Sequence, residues 1–438
     1  MSHVDPSGAG TVAEFAQLLR EVRRRAGDPS LEEMARRSGR ILARSTMSEV
    51  LNGKRLPGRE QLQAFLAVCG ISGTDQALFL EAWTRLGLRP ALFDRRLEGP
   101  VLSADALAKP QEQALEWPGG PVDSIEIDRR VVLWGASGSG KTCFLAALNA
   151  AVARAERQWS LVGMTDASAY LLQRATVSLI HHHRFPEATE LGEFNVYQWV
   201  LTTDIELAIR RFGRRKSRTI PLRFQLEILD TAGEAFSGDH YRHIPTEAYH
   251  HLMDVLAHCD GIIYFYDAVS QMHGHDQSVY FHQVLDDLER KCHQDRIVDG
   301  ARLPHRLAVC VSKFDEPSVF NAAALGGHLA TDRRGPSEVP FVPDSRAKLF
   351  FEELCESLPE GKGNAPLATH SIRRYFHPDR VRYYATSAIG FYLDEARRFD
   401  AKDCNNASIQ DGTNRIRGTI YPINVLEPLL WLQTPVSR

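Results

Sequence analysis

The segment Gly135-Ala136-Ser137-Gly138-Ser139-Gly140-Lys141-Thr142 constrains this chain more than any other. It satisfies GxxxxGK[ST] in full. It lies between an apolar run, Val131-Val132-Leu133-Trp134, and an alanine-rich stretch from Cys143 to Arg157. The first reads as a short buried strand and the second as a helix, which is the context the pattern requires. Small residues let backbone N–H groups turn inward around a phosphate, and the start of the following helix adds partial positive charge. The amides of residues 135–143 are therefore expected to cradle a polyphosphate. Lys141 would reach the β- and γ-phosphates, and the Thr142 hydroxyl would ligate Mg²⁺. A glycine-rich turn without a ligand is the plain alternative.

A chain of 438 residues exceeds one ordinary domain. Within residues 1–90, residues 11–87 read as consecutive short helices closing at Gly27, Gly39, Gly53, Gly70 and Gly87, and Ser30 and Thr74 suit N-caps. Residues 91–127 carry Pro100, Pro110, Pro118, Gly119, Gly120 and Pro121 and read as a linker. Residues 128–438 alternate between strand and helix texture: the runs 224–229, 261–266, 307–311 and 381–385 are apolar or β-branched and are separated by helical segments. The expected fold class is α/β, a mostly parallel sheet with helices on both faces, preceded by a small all-α domain. One pair departs from this alternation. Residues 203–212 and 220–229 flank the basic segment Gly213-Arg214-Arg215-Lys216-Ser217, which reads as the turn of a hairpin.

Three further motifs follow strands. Asp230-Thr231-Ala232-Gly233-Glu234 puts a carboxylate at a strand's carboxyl end, where it is placed to hold magnesium through water. Gly233 lets the backbone approach a γ-phosphate. Ser312-Lys313-Phe314-Asp315 and Thr386-Ser387-Ala388 come later. In this order the four motifs resemble those of Ras-like (TRAFAC) P-loop GTPases. The expanded layout is similar to bacterial double-GTPase families associated with conflict systems, whose members are thought to regulate partner proteins. The resemblance implies a P-loop NTPase fold that binds a guanine nucleotide, GTP or GDP with Mg²⁺, and hydrolyses GTP. It also implies a regulated effector protein. Asp315 would accept hydrogen bonds from guanine N1–H and N2–H₂, which adenine lacks. Lys313 would pack along the base, Ser312 stands where the family has an amide, and Ser387-Ala388 would support the guanine through a backbone N–H. Glu234 stands where Ras-like enzymes carry the Gln that orients water, so slow turnover is expected.

The same resemblance calls for a first-switch Thr on Mg²⁺. Thr189, in Phe185-Pro186-Glu187-Ala188-Thr189, is favoured, with Thr203 as the alternative. If Thr189 fills that role, Arg184 is a candidate arginine finger, against the plainer reading of a solvated loop arginine. His181-His182-His183 lacks spaced partners and is not read as a metal site.

The N-terminal run Ser30–Gly39 followed by Ser45–Gly53 looks like an Xre/Cro-type helix-turn-helix. Residues 1–90 hold 13 Lys/Arg and 10 Asp/Glu, a net of +3. On that resemblance Ser45, Thr46 and Ser48 would face the major groove of duplex DNA, and Arg44, Lys54 and Arg55 would meet phosphates. A helical module that binds protein is the alternative.

The whole chain, with 52 basic and 55 acidic residues, is near neutrality, which excludes a nucleic-acid binder working by bulk charge. Seven cysteines without CxxC spacing read as reduced thiols. With no signal-like start and no apolar run near the ~18 residues of a membrane span, a cytoplasmic protein is expected. Three rival readings stay open: an ATPase of the same fold, a DNA-binding regulator with a nucleotide sensor, and a nucleotide-locked scaffold.

Overall fold

A computed structural model of the chain describes residues 6, 12–39, 41–42, 44–53, 57, 59–87, 115–117, 124–186, 194–211, 214–231, 246–272, 277–297, 300–332, 338–356, 365–410 and 412–433. The chain divides into two compact units, Met1–Asp94 and Arg95–Arg438.

In the first unit, apolar residues at helical spacing form α1 (Val12–Arg25), α2 (Leu31–Arg37), α3 (Arg44–Leu51), α4 (Arg59–Val68) and α5 (Thr74–Gly87). Ser30 caps α2 by accepting a hydrogen bond from the Glu33 amide at 3.1 Å. One core joins the helices, built from Phe15, Leu19, Met34, Leu42, Met47, Val50, Phe65 and Phe79. Gly53 turns the chain after α3 with φ +71°, and a Cβ there would meet the Ala13 Cα at 3.1 Å. Only glycine meets both demands without strain.

The second unit begins with β1 (Leu115–Trp117) and β2 (Ile125–Gly135), which leads into α6 (Lys141–Arg154). Next come β3 (Ser160–Gly163), α7 (Asp166–Thr176), a π-helical turn over Val177–His181, and the long strands β4 (Phe194–Arg211) and β5 (Arg214–Thr231). The alternation continues through α8 (Thr246–Ala257), β6 (Gly261–Tyr266), α9 (Ala268–Met272), α10 (Gln277–Gln294), β7 (Arg306–Val311) and α11 (Pro317–Leu325). A small ribbon, β8 (Ala330–Asp332) with β9 (Val339–Phe341), precedes α12 (Asp344–Glu356), α13 (Ala365–Tyr375) and β10 (Val381–Ala385). A second ribbon, β11 (Ala407–Gln410) with β12 (Thr413–Ile416), and α14 (Leu426–Gln433) end the order.

The main sheet runs β1-β4-β5-β2-β6-β7-β10, with β3 on β4. Its pairs are parallel except those of β4 with β5 and with β3. Helices cover both faces, so β2 alternates between two cores. Val132 and Trp134 pack with Tyr264, Phe281 and Leu288, while Val131 and Leu133 pack with Phe144, Leu148 and Leu429. All six residues of β6 are buried, which is why its sequence is a continuous apolar run.

Three expectations are corrected here. The stretch read as linker contributes β1, a three-residue edge strand pairing Leu115–Trp117 with Leu207–Ile209. The hairpin strands are far longer than their apolar segments. Arg214–Ser217 lie within β5, not in a turn, because Arg211 pairs with Arg214 and Ala208 with Ser217. The helix after the glycine-rich segment starts at Lys141 and ends at Arg154.

Candidate functional site

Strand β2 lies centrally, with β5 on one side and β6 on the other. Successive crossovers therefore leave its carboxyl end in opposite directions, and such a switch point is where open α/β sheets hold ligands. Gly135 ends the strand there. A Cβ on it would stand 2.7 Å from the Ser139 Oγ and 2.9 Å from the Phe265 carbonyl oxygen, so the turn is too close for any side chain. Gly138 at φ +71° and Gly140 at φ +97° take the left-handed conformation that reverses the chain into α6. Ser137 and Gly138 are exposed, and Ala136, Thr142 and Cys143 are half-buried. Ser139 is buried, and its hydroxyl has no hydrogen-bond partner among the described residues.

Lys141 is 6% exposed. Its Nζ donates to the Gly135 carbonyl at 2.7 Å and to the Ala136 carbonyl at 3.1 Å. A buried ammonium needs such acceptors. Here they come from the loop itself, so the cation is held inside the curve of residues 135–140. Loop amides, the start of α6 and this cation make the end of β2 a concentrated positive site.

Asp230 pairs with Leu133, two residues before Gly135, so its backbone lies on the neighbouring strand at the same end of the sheet. Its side chain, and all of Thr189, Gly233 and Glu234, lie outside the described residues. Thr203 is at the wrong end. It pairs with Leu222, which pairs with Ile125, ten residues from Gly135 along β2. That is about 33 Å at 3.3 Å per residue. Its hydroxyl, 5% exposed as a residue, donates to the Gln158 carbonyl at 2.7 Å. These facts remove Thr203 as a magnesium ligand. Arg184 is exposed, and its amide donates to the Ser178 carbonyl while its backbone bridges to Arg415. None of its described contacts reaches residues 135–142.

The segments read as base-recognising do meet. Strands β7 and β10 are parallel neighbours, with Val311 opposite Ala385, so Ser312–Asp315 and Thr386–Ala388 leave the sheet together. The Ser387 Oγ donates to the Asp315 Oδ1 at 2.5 Å and accepts from the Gly390 amide at 2.7 Å. The Phe314 amide donates to the Thr386 carbonyl at 3.1 Å. Ser312 is buried, its hydroxyl donating to the Tyr266 carbonyl at 3.3 Å, and Ala388 is half-buried. Burial pushes the Asp315 carboxyl up to about 6, against the opposing hydrogen bond from Ser387.

One residue escaped the sequence reading. Asp267, just past β6, is 1% exposed and takes the Lys313 ammonium at 2.7 Å. It also accepts from the Ser270 amide at 3.1 Å. Lys313 holds φ +57°, a cost for a residue with a Cβ that this ion pair helps to offset. The available signal was an acid directly after a buried strand, next to the strand that feeds Lys313.

In the helical unit, Arg44 opens α3 and is exposed, as is Ser48 one turn later, while Met47, Val50 and Leu51 are buried. Arg44 and Ser48 therefore share the outward face. The side chains of Ser45 and Thr46, and all of Lys54 and Arg55, lie outside the described residues.

Residues 14–79 match the family model of a helix-turn-helix domain. No curated protein matches the chain. A crystal structure of a protein from Thermus thermophilus is similar at 16% identity and a TM-score of 0.22, over 62% of this chain. This chain spans 38% of that one's length. What fold and match together define is a helix-turn-helix domain followed by an α/β unit with a mostly parallel sheet. No helix among the described residues is long and apolar enough to cross a membrane.

Proposed function

We propose that the α/β unit is a GTP-binding switch that hydrolyses GTP slowly, and that the helix-turn-helix unit carries its output to duplex DNA or to an effector protein. The observation that carries this reading is the buried Lys141 ammonium held by the Gly135 and Ala136 carbonyls at the switch point of the sheet. A phosphate tail entering that curve offers the cation better acceptors than two neutral carbonyls. Thr142 and Asp230 are the residues that would hold Mg²⁺, which supplies charge neutralisation at the β- and γ-phosphates. The orphaned Ser139 hydroxyl and the left-handed glycines fit a loop shaped around a ligand. The Asp315–Ser387 contact supports guanine over adenine, since a carboxylate at that position matches two donors that only guanine presents.

Binding of a fluorescent GTP analogue with magnesium, competed by GTP and by ATP, tests the reading. GTP should displace the probe at least about 100-fold more effectively, and Lys141→Ala should abolish retention. Equal potency of ATP would replace the guanine reading with the ATPase one. No binding of any purine triphosphate would end both.

A second reading is favoured by the helix-turn-helix match and the outward Arg44–Ser48 face: a DNA-binding regulator in which the nucleotide unit is the sensor. Selection of a preferred duplex from a random pool by the full chain, lost on Arg44→Ala with Ser48→Ala, separates this from a protein-binding headpiece.

A further inference from the structure

The ends of β4 and β5 remote from Gly135 have no role in the nucleotide reading, yet they carry a dense run of positive charge. Between Leu207 and Thr219 stand Arg210, Arg211, Arg214, Arg215, Lys216 and Arg218, with no acidic residue, in a chain whose formal net charge is −3. The two strands run antiparallel in continuous register, so Arg210 opposes Arg215 and Arg211 opposes Arg214. On its β2 side, β5 has no pairing partner among the described residues from Arg214 to Pro221, because β2 joins at Ile125 opposite Leu222. On the other side, β1 covers β4 only at Leu207–Ile209. Among the described residues the ribbon is two strands wide beyond β1, at Arg210–Arg211 with Arg214–Arg215. From Pro221 to Arg214, β5 runs about 23 Å at 3.3 Å per residue, with β1 lying along β4 for part of that length and neighbouring strands about 4.8 Å apart.

We propose that the basic residues of this ribbon, Arg210, Arg211, Arg214, Arg215, Lys216 and Arg218, form a phosphate-contacting site for duplex nucleic acid, separate from the helix-turn-helix unit. Like charges directly opposite each other in a ladder are destabilising. A polyanion laid along the ribbon relieves that repulsion and releases counterions from the duplex, and both effects favour binding. A two-stranded antiparallel ribbon is also one of the two elements that a B-form major groove, about 12 Å wide, admits. Duplex DNA is the source committed to, because residues 14–79 of the same chain match a helix-turn-helix domain. An anionic membrane surface presents similar phosphates and is the rival outcome. To that extent the inference rests on the DNA-binding reading, and the variants below separate the two.

The test is fluorescence anisotropy of a labelled 30-base-pair (~100 Å) random-sequence duplex with the full chain, across a range of sodium chloride concentrations. Replacing Arg210, Arg211, Arg214, Arg215 and Lys216 together with Gln should weaken binding about 10- to 100-fold near 100 mM salt. It should also lower the slope of log affinity against log salt by about two to four. Replacing the four arginines with Lys should leave the slope unchanged. A milder pair, Arg214→Gln with Arg215→Gln, should give about a three- to tenfold loss and carries the test if the larger variant fails to fold. Retention of the duplex by the Gln variants with unaltered slope overturns the assignment. So does ribbon-dependent binding to phosphatidylserine vesicles without binding to the duplex. If Arg44→Ala with Ser48→Ala leaves this binding intact while the ribbon variants lose it, the ribbon assignment stands and the helix-turn-helix contact falls. The reverse pattern overturns the ribbon.

Discussion

Asp315 is a carboxyl whose burial works against the charge its proposed role requires. With burial lifting it to about 6, the ligand-free folded protein holds a proton there more tightly than the unfolded chain does. At this group stability therefore falls as pH rises from about 4 to about 6 and is level above that. Guanine reverses the preference, since only the ionised carboxylate accepts from both N1–H and N2–H₂. GTP affinity should be constant above pH 7 and decline about tenfold for each unit below 6. Asp315→Ala should bind GTP weakly without that decline. Fluorescence titration from pH 5 to 8 measures both, and a wild-type profile flat through pH 6 would refute the base-reading role. Asp267 acts one step further back, through Lys313. Asp267→Asn should lower the preference for GTP over ATP about tenfold while leaving the α/β unit's melting temperature within a few degrees, with Asp267→Glu restoring part of it. An equal loss of GTP and ATP would mark Asp267 as a fold residue. The contrast between these residues and Lys141 explains what was legible. Lys141, Thr142 and the glycines form one local motif, so their grouping needs no knowledge of pairing. Asp267 gains its meaning only when β6 lies beside β7 and Tyr266 faces Val311, a fact about register that no short window of sequence holds.

At the scale of elements, the loop after β10 is wedged against the segment before α14. The Ser387 and Ile423 backbones exchange two hydrogen bonds, at 3.0 and 2.8 Å, and Asn424 donates to the Ala385 carbonyl at 2.8 Å. Gly390 sits in this contact at φ +68°, where a Cβ would fall 1.9 Å from the Tyr421 carbonyl oxygen. Gly390→Ala should cost more than about 3 kcal/mol, through left-handed backbone and steric overlap together. It should also displace Ser387 from Asp315. Denaturant unfolding and GTP competition read the two effects, and wild-type stability in the variant would contradict the close packing. The element buried on both faces was the readable one: β6 coincides with its apolar run, because helices on each side demand apolar residues at every position, and β10 was found from its buried half, Tyr383–Ala385. β1 was not readable, since Leu115-Glu116-Trp117 is a strand only by lying along β4. The outer halves of β4 and β5 hid for the same reason. Arg210–Arg211 and Arg214–Arg218 have no alternating apolar face, and pairing with the opposite strand makes them strand.

At the scale of the molecule, the two units have separate interiors. Among the described residues, the core around Phe15, Phe65 and Phe79 draws on residues 15–83, and the cores of the α/β unit draw on residues 125–432. Cooperative unfolding follows shared burial, so calorimetry should resolve two transitions, the smaller from the helical unit. A ligand that binds only the folded α/β unit stabilises that unit alone. At 100 times its dissociation constant, GTP with magnesium adds about 2.7 kcal/mol. For a unit of this size, with an unfolding entropy near 0.7 kcal/mol/K, that raises the larger transition by about 4 °C and leaves the smaller one in place. Lys141→Ala should remove the shift without changing the number of transitions. A random-sequence duplex should move the larger transition through the ribbon, and the smaller one only if α3 also grips it. Four titrations, with nucleotide or duplex against wild-type or Lys141→Ala protein, thus assign each ligand to a unit from melting temperatures alone. If both transitions rise together with GTP, the cores are not independent and the signal crosses between them within the folded state. If neither rises with any purine triphosphate, the positive curve around Lys141 is a structural turn, and the function lies with the helical unit and the basic ribbon.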